Sequence, residues 1–149
     1  PAGGRALSEG KVQQLPVKQH RTKTTNRYFN YIYVRMGAHT LIHKRTEDDI
    51  WKNLFELPLV ETEKDLSEEE FLACPQFHAL FAEGEVRMVR ILLRGVKHVL
   101  SHRVIYTNFY EVTLPDKSSS FSSYQRVAVE DLGRYAVPRL IHAFLEKYV

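Results

Sequence analysis

Residues 28–58 read YFNYIYVRMGAHTLIHKRTEDDIWKNLFELP, and the pattern of this stretch sets the fold class. Residues 28–36 are aromatic or β-branched on both faces at period two, as in a strand lying inside a sheet. Gly37-Ala38 supplies a two-residue hairpin turn with glycine first, as a type II′ turn requires. It predicts a partner strand over 39–44. A polar loop, Thr46-Glu47-Asp48-Asp49, leads into the segment 51–58 that Pro58 closes.

Downstream, Ser67-Glu68-Glu69-Glu70 has the form of a capping box, and Pro75 limits the helix that it starts. A further turn or two is expected over 76–82, ended by Gly84. Residues 86–94, 97–102 and 103–113 read as strands, then a serine-rich loop over 115–123 and a short strand at 124–129. The last element is a helix from Val137, with Pro138 at its first position and an apolar stripe of Leu140, Ile141, Phe144, Leu145 and Tyr148. The sum is an α+β domain with a mixed β-sheet flanked by helices. Upstream, residues 1–27 have little apolar periodicity and six Lys/Arg against Glu9, so they read as a basic interdomain linker, with the compact domain at 28–149.

A chain of 149 residues suits one domain, and no apolar run approaches the ~20 residues of a bilayer span. The one cysteine, Cys74, excludes an internal disulfide and predicts a reducing compartment: cytoplasmic, or nucleoid-associated if the source is bacterial. The net charge of +3 hides a strong asymmetry. Residues 47–70 hold ten Asp/Glu against Lys52 and Lys64, whereas Val86 to Tyr110 hold Arg87, Arg90, Arg94, Lys97 and Arg103 with no acid. Basic stretches interleaved with Tyr and Phe suit a polyanion, through phosphate neutralisation and base stacking.

Other chemistries fit less well. His39/His43 and His98/His102 stand four apart, which on a strand is ~13 Å, too far to share one zinc without a bend. No metal site is expected. Ser101 beside His102 is a neighbour pair rather than a triad, there is no G-x-S-x-G elbow, and Cys74 reads as core. No catalytic residue is assigned.

Several segments carry a resemblance. Arg45…Trp51-Lys-Asn-Leu-Phe-Glu-Leu-Pro58 resembles the place in Nudix-fold domains where an arginine-ended strand enters a W-x-G-L-W-E-F-P-like turn. Val127-Ala-Val-Glu-Asp-Leu132…Tyr135-Ala-Val-Pro138-Arg-Leu-Ile-His-Ala-Phe144 resembles their closing strand, short helical turn and C-terminal helix. After Pro58, however, the chain has neither the glycine nor the R-E-x-x-E-E helix with which Nudix hydrolases hold Mg²⁺. A Nudix-like fold without the hydrolase box is similar to the C-terminal domain of the MutY family of adenine DNA glycosylases. In that family a strand junction carries Phe-Ser-His; here Lys97-His98-Val99-Leu100-Ser101-His102 resembles it, with Leu100 in place of the phenylalanine. Residues 5–18 likewise resemble the connector that follows the family's last iron–sulfur cysteine.

The resemblance implies a domain that reads 8-oxoguanine opposite adenine in double-stranded DNA. Ser101 would meet the altered base edge and Leu100 and His102 would flank it, a hydroxyl being able both to donate and to accept. From charge, Lys18, Arg21, Lys23, Lys97 and Arg103 are candidate phosphate contacts. Base excision, and the iron–sulfur cluster, would belong to an N-terminal catalytic domain of the parent protein, and this chain needs no cofactor of its own. Two alternatives remain: a degenerate nucleotide hydrolase using the Glu61–Glu70 carboxylates, and a protein-interaction module.

Overall fold

The computed structural model describes residues 25–121 and 123–149. These fall into two compact units: Arg27–His98 with Ile105–Val149 form the larger, and residues 25–26 with Val99–Val104 belong to the smaller.

Strand β1 (Thr25–Arg35) is buried on both faces over most of its length, with Phe29, Tyr31 and Tyr33 to one side and Ile32 and Val34 to the other. The stretch 28–36 thus forms an inner strand, as its two apolar faces require. Its neighbours are β4 (Leu59–Thr62) and β6 (Arg103–Thr113), and β5 (Met88–Leu100) lies beyond β6 in the order β4-β1-β6-β5. β4 is antiparallel to β1, with Tyr28 opposite Thr62. β6 runs parallel to β1: the Thr25 amide donates to the His102 carbonyl (3.0 Å) at one end, and the Leu114 amide donates to the Arg35 carbonyl (2.9 Å) at the other. The sheet is mixed, and the class is α+β.

The Gly37-Ala38 turn forms as expected, with Gly37 at φ 61 and Met36 and His39 exchanging two backbone hydrogen bonds of 3.0 Å. A Cβ at Gly37 would also lie 2.7 Å from Asp116 Oδ1. The strands then part, contrary to the partner strand expected over 39–44. Both edges of β1 are already taken, so β2 (His39–Lys44) joins a second sheet of order β3-β2-β7, with β3 (Phe55–Glu56) and β7 (Gln125–Ala128) antiparallel to it.

A second departure concerns β5. The sequence suggests separate strands over 86–94 and 97–102, but one strand runs through Gly95, which takes φ 70 and turns its amide to Asn108 Oδ1 (2.8 Å). Ser101 and His102 lie in the turn rather than at the end of a strand over 97–102.

Helices cover both faces of the larger sheet. The short α1 (Glu68–Ala73) carries the capping box: Ser67 Oγ accepts from the Glu70 amide and Glu70 accepts from the Ser67 amide. With α2 (Pro75–His78), it buries Phe71 and Phe77 beside Ile32, Val34, Tyr110 and Val112. On the opposite face α3 (Arg139–Tyr148) lays Phe144 flat on Phe109 at 4.2 Å, and Tyr31 stacks on Phe109 at 5.7 Å. Pro138 is the cap residue of α3 rather than its first residue. A 3-10 turn, Val129–Arg134, joins β7 to this end of the fold. Among the described residues, no helix is long and apolar enough to cross a membrane.

Candidate nucleic-acid interface

The sequence-predicted recognition residues meet on one hairpin. β5 and β6 are joined by a two-residue turn, Ser101-His102, so Leu100, Ser101, His102 and Arg103 form its tip. Ser101, His102 and Arg103 are exposed and Leu100 is half-buried. The tip is fixed from β1: the His102 carbonyl accepts the Thr25 amide at 3.0 Å and the Thr25 hydroxyl at 3.4 Å. Among the described residues none hydrogen-bonds the Ser101 hydroxyl, a group that can both donate and accept. Sequence reasoning missed Thr25, because it treated that residue as part of the linker.

The charges sort into those already used and those free to act outward. Arg27 grips Asp49 with two bonds of 2.9 Å and Glu61 with two of 2.8 Å. These bonds raise the Arg27 pKa, Glu61 contributing most, and hold the Asp49 carboxyl down at about 2. Arg45 bonds Asp49 at 3.0 Å and the buried Glu56 at 2.9 Å, and Glu56 also accepts the Tyr31 hydroxyl at 2.7 Å. The Tyr31 hydroxyl is pushed well up by burial and by Glu56. In the basic stretch, Arg90 binds Glu111 (2.5 Å) while Arg94 binds Asp65 (3.1 Å) and the Leu66 carbonyl (2.9 Å). Lys97 and Arg103 are exposed and form no ion pair with a described residue. Lys18, Arg21 and Lys23 lie outside the described residues.

Much of the acidity of 47–70 is therefore internal. Asp49, Glu56, Glu61 and Asp65 neutralise arginines, and Glu70 is committed to the helix cap, which holds its pKa below the usual value. Among the described residues, no three His, Cys, Asp or Glu side chains converge to hold a metal ion. The histidines have other neighbours. His43 Nε2 lies 2.9 Å from Glu56 Oε2, and the His98 ring meets Trp51 edge-on at 5.9 Å. Trp51 itself has a left-handed backbone at φ 58 and packs on Phe29 as well. Nothing in its sequence neighbourhood announces that conformation. Tyr28 and Tyr106 stack at 5.7 Å, and both are partly exposed.

The model of the NUDIX domain matches residues 30–147. Among solved structures, the C-terminal domain of mouse MUTYH, in a complex with human PCNA, superposes with a TM-score of 0.62 at 14% identity, covering 82% of this chain and 86% of that one. A MutT structure described for Aliivibrio salmonicida and Vibrio cholerae gives 0.55 at 16% identity, covering 83% and 96%. The MutT protein of Methanosarcina mazei gives 0.54 at 18%, covering 83% and 93%. No curated protein matches by sequence. At these identities the structural likenesses speak for the fold, while the family match spans most of the chain. The chain belongs to the NUDIX domain family.

Proposed function

We propose that this NUDIX domain is the lesion-reading part of an adenine DNA glycosylase, holding 8-oxoguanine opposite adenine in double-stranded DNA. The observation that carries the reading is the β5–β6 tip. A fixed turn there presents the Ser101 hydroxyl without a described partner, next to exposed His102 and Arg103, within a stretch free of acids. 8-Oxoguanine differs from guanine in carrying an oxygen at C8 and a hydrogen on N7. One hydroxyl can address either of these groups, because it donates and accepts. His102 flanks that contact, half-buried Leu100 backs it at the end of β5, and Lys97 and Arg103 meet phosphates. The basic residues Lys18, Arg21 and Lys23 add to the same electrostatic attraction.

The use of Asp49, Glu61, Asp65 and Glu70 in internal pairs and a cap supports a domain that reads rather than hydrolyses. Excision of adenine, and the iron–sulfur cluster, fall to a separate catalytic domain that partners this one; one cysteine, Cys74, offers no thiolate set for a cluster here. The test is binding to duplexes holding 8-oxoguanine:A or G:A at two salt concentrations. Preference for the oxidised duplex, removed by Ser101→Ala, is the expected result. Membership of the NUDIX family is the observation favouring a second reading, nucleotide hydrolysis, and Mg²⁺-dependent release of phosphate or pyrophosphate from nucleoside triphosphates would support that instead.

A further inference from the structure

We propose that Val99, rather than Leu100, is the apolar side chain that packs against the nucleic acid beside Ser101. This rests on the lesion-reading function proposed above and goes beyond it by naming the contact. Along the end of β5 burial alternates: Lys97 exposed, His98 partly buried, Val99 exposed, Leu100 partly buried. Side chains of a strand point alternately to its two faces, so the outward side carries Val99 and the inward side Leu100. Val99 is 65% exposed, more than the other large hydrophobics that stand out, Met88 at 57%, Val149 at 44% and Tyr148 at 36%.

A single exposed valine is ordinary on a protein surface. Its place makes this one informative. It stands two residues before Ser101, on a hairpin whose turn is held through the His102 carbonyl by Thr25. It also stands between Lys97 and Arg103, which are exposed and form no ion pair with a described residue. That charge pattern favours a polyanion over a protein as the covering surface. The branched side chain is stiff at χ1, so little freedom remains to be lost when sugar rings, base faces or thymine methyls cover it.

The test compares Val99→Thr, Leu100→Ala and Arg103→Gln with the wild-type chain, using an 8-oxoguanine:A duplex over a salt series, with the melting temperature of each variant. Val99→Thr keeps shape and strand propensity. It should weaken binding roughly three- to tenfold at every salt concentration, leaving the salt slope and the melting temperature unchanged. Arg103→Gln should instead reduce the slope by about 1. Leu100→Ala should lower the melting temperature and leave affinity, measured where the variant is folded, close to wild type. Unchanged binding by Val99→Thr, or a larger affinity loss from Leu100→Ala, overturns the assignment. Absence of wild-type binding at low salt overturns the nucleic-acid reading and the assignment with it. Equal wild-type binding to oxidised and unoxidised duplexes overturns lesion reading alone, because the Val99→Thr comparison still reports the contact.

Discussion

Single residues in this fold are distinguished by what their polar atoms reach. Tyr110 is fully buried, stacks on Phe71 at 4.5 Å, and has a hydroxyl without a described partner; burial pushes its pKa up to about 12. Removing an unsatisfied buried hydroxyl relieves its desolvation, so Tyr110→Phe should be neutral or stabilising by up to about 1 kcal/mol, measured by chemical denaturation. Asp49 is the opposite case. Its carboxyl is held near 2 by hydrogen bonds from Arg27, so it binds its proton less readily in the folded chain than in the unfolded one. That contribution is complete above the unfolded pKa and is lost as pH falls through the folded one. Asp49→Asn should therefore cost roughly 1–2 kcal/mol at pH 7, after allowance for solvent screening. Measured against pH, the gap to wild type should close between about pH 5 and pH 2. A constant gap would mean that packing, not charge, holds this loop. The pairing of Asp49 with Arg27 and Arg45 was not legible in the sequence, where Asp49 looks like one more acid in a polar loop.

At the scale of elements, the legible features were those set by local rules. The Ser67–Glu70 box and the stop at Cys74 depend on neighbouring residues alone, and both form as the sequence predicts. The stripe on α3 is only partly buried: Leu140, Ile141 and Phe144 are in the core, while Tyr148 remains 36% exposed. Phe144→Ala, which removes the ring stacked on Phe109, should cost about 3–5 kcal/mol in denaturant unfolding. The features that the sequence hid are non-local. Where β2 pairs depends on both edges of β1 being occupied, which no window of residues reports. The continuity of β5 depends on Asn108, thirteen positions away, taking the Gly95 amide. A Cβ at Gly95 meets nothing within 4 Å, so only its left-handed backbone opposes substitution. Gly95→Ala should cost roughly 1 kcal/mol in the melt and leave neighbouring contacts intact. A much larger loss would indicate that the strand itself breaks there.

At the scale of the whole molecule, the family match and the charge distribution point in different directions until the ion pairs are traced. A NUDIX domain with many carboxylates after Pro58 resembles a hydrolase in composition. Of these, Glu61 and Asp65 pair with Arg27 and Arg94, as Asp49 and Glu56 pair with arginines ahead of Pro58, and the basic residues left exposed include Lys97 and Arg103, close in sequence to the Ser101-His102 turn. The candidate tip was legible because its residues are contiguous in sequence. Its fixation by Thr25, and the exposure of Val99 in place of Leu100, were not, because they depend on the register between strands and on which face of β5 turns outward. Lesion reading by this domain is tested by its affinity ratio for 8-oxoguanine:A over G:A duplex at low salt, with and without Ser101→Ala. The ratio should lie well above one and fall to about one in the variant, since the loss of a single base-edge contact costs ~1–3 kcal/mol of discrimination. A wild-type ratio of one, or a ratio untouched by Ser101→Ala, would contradict it.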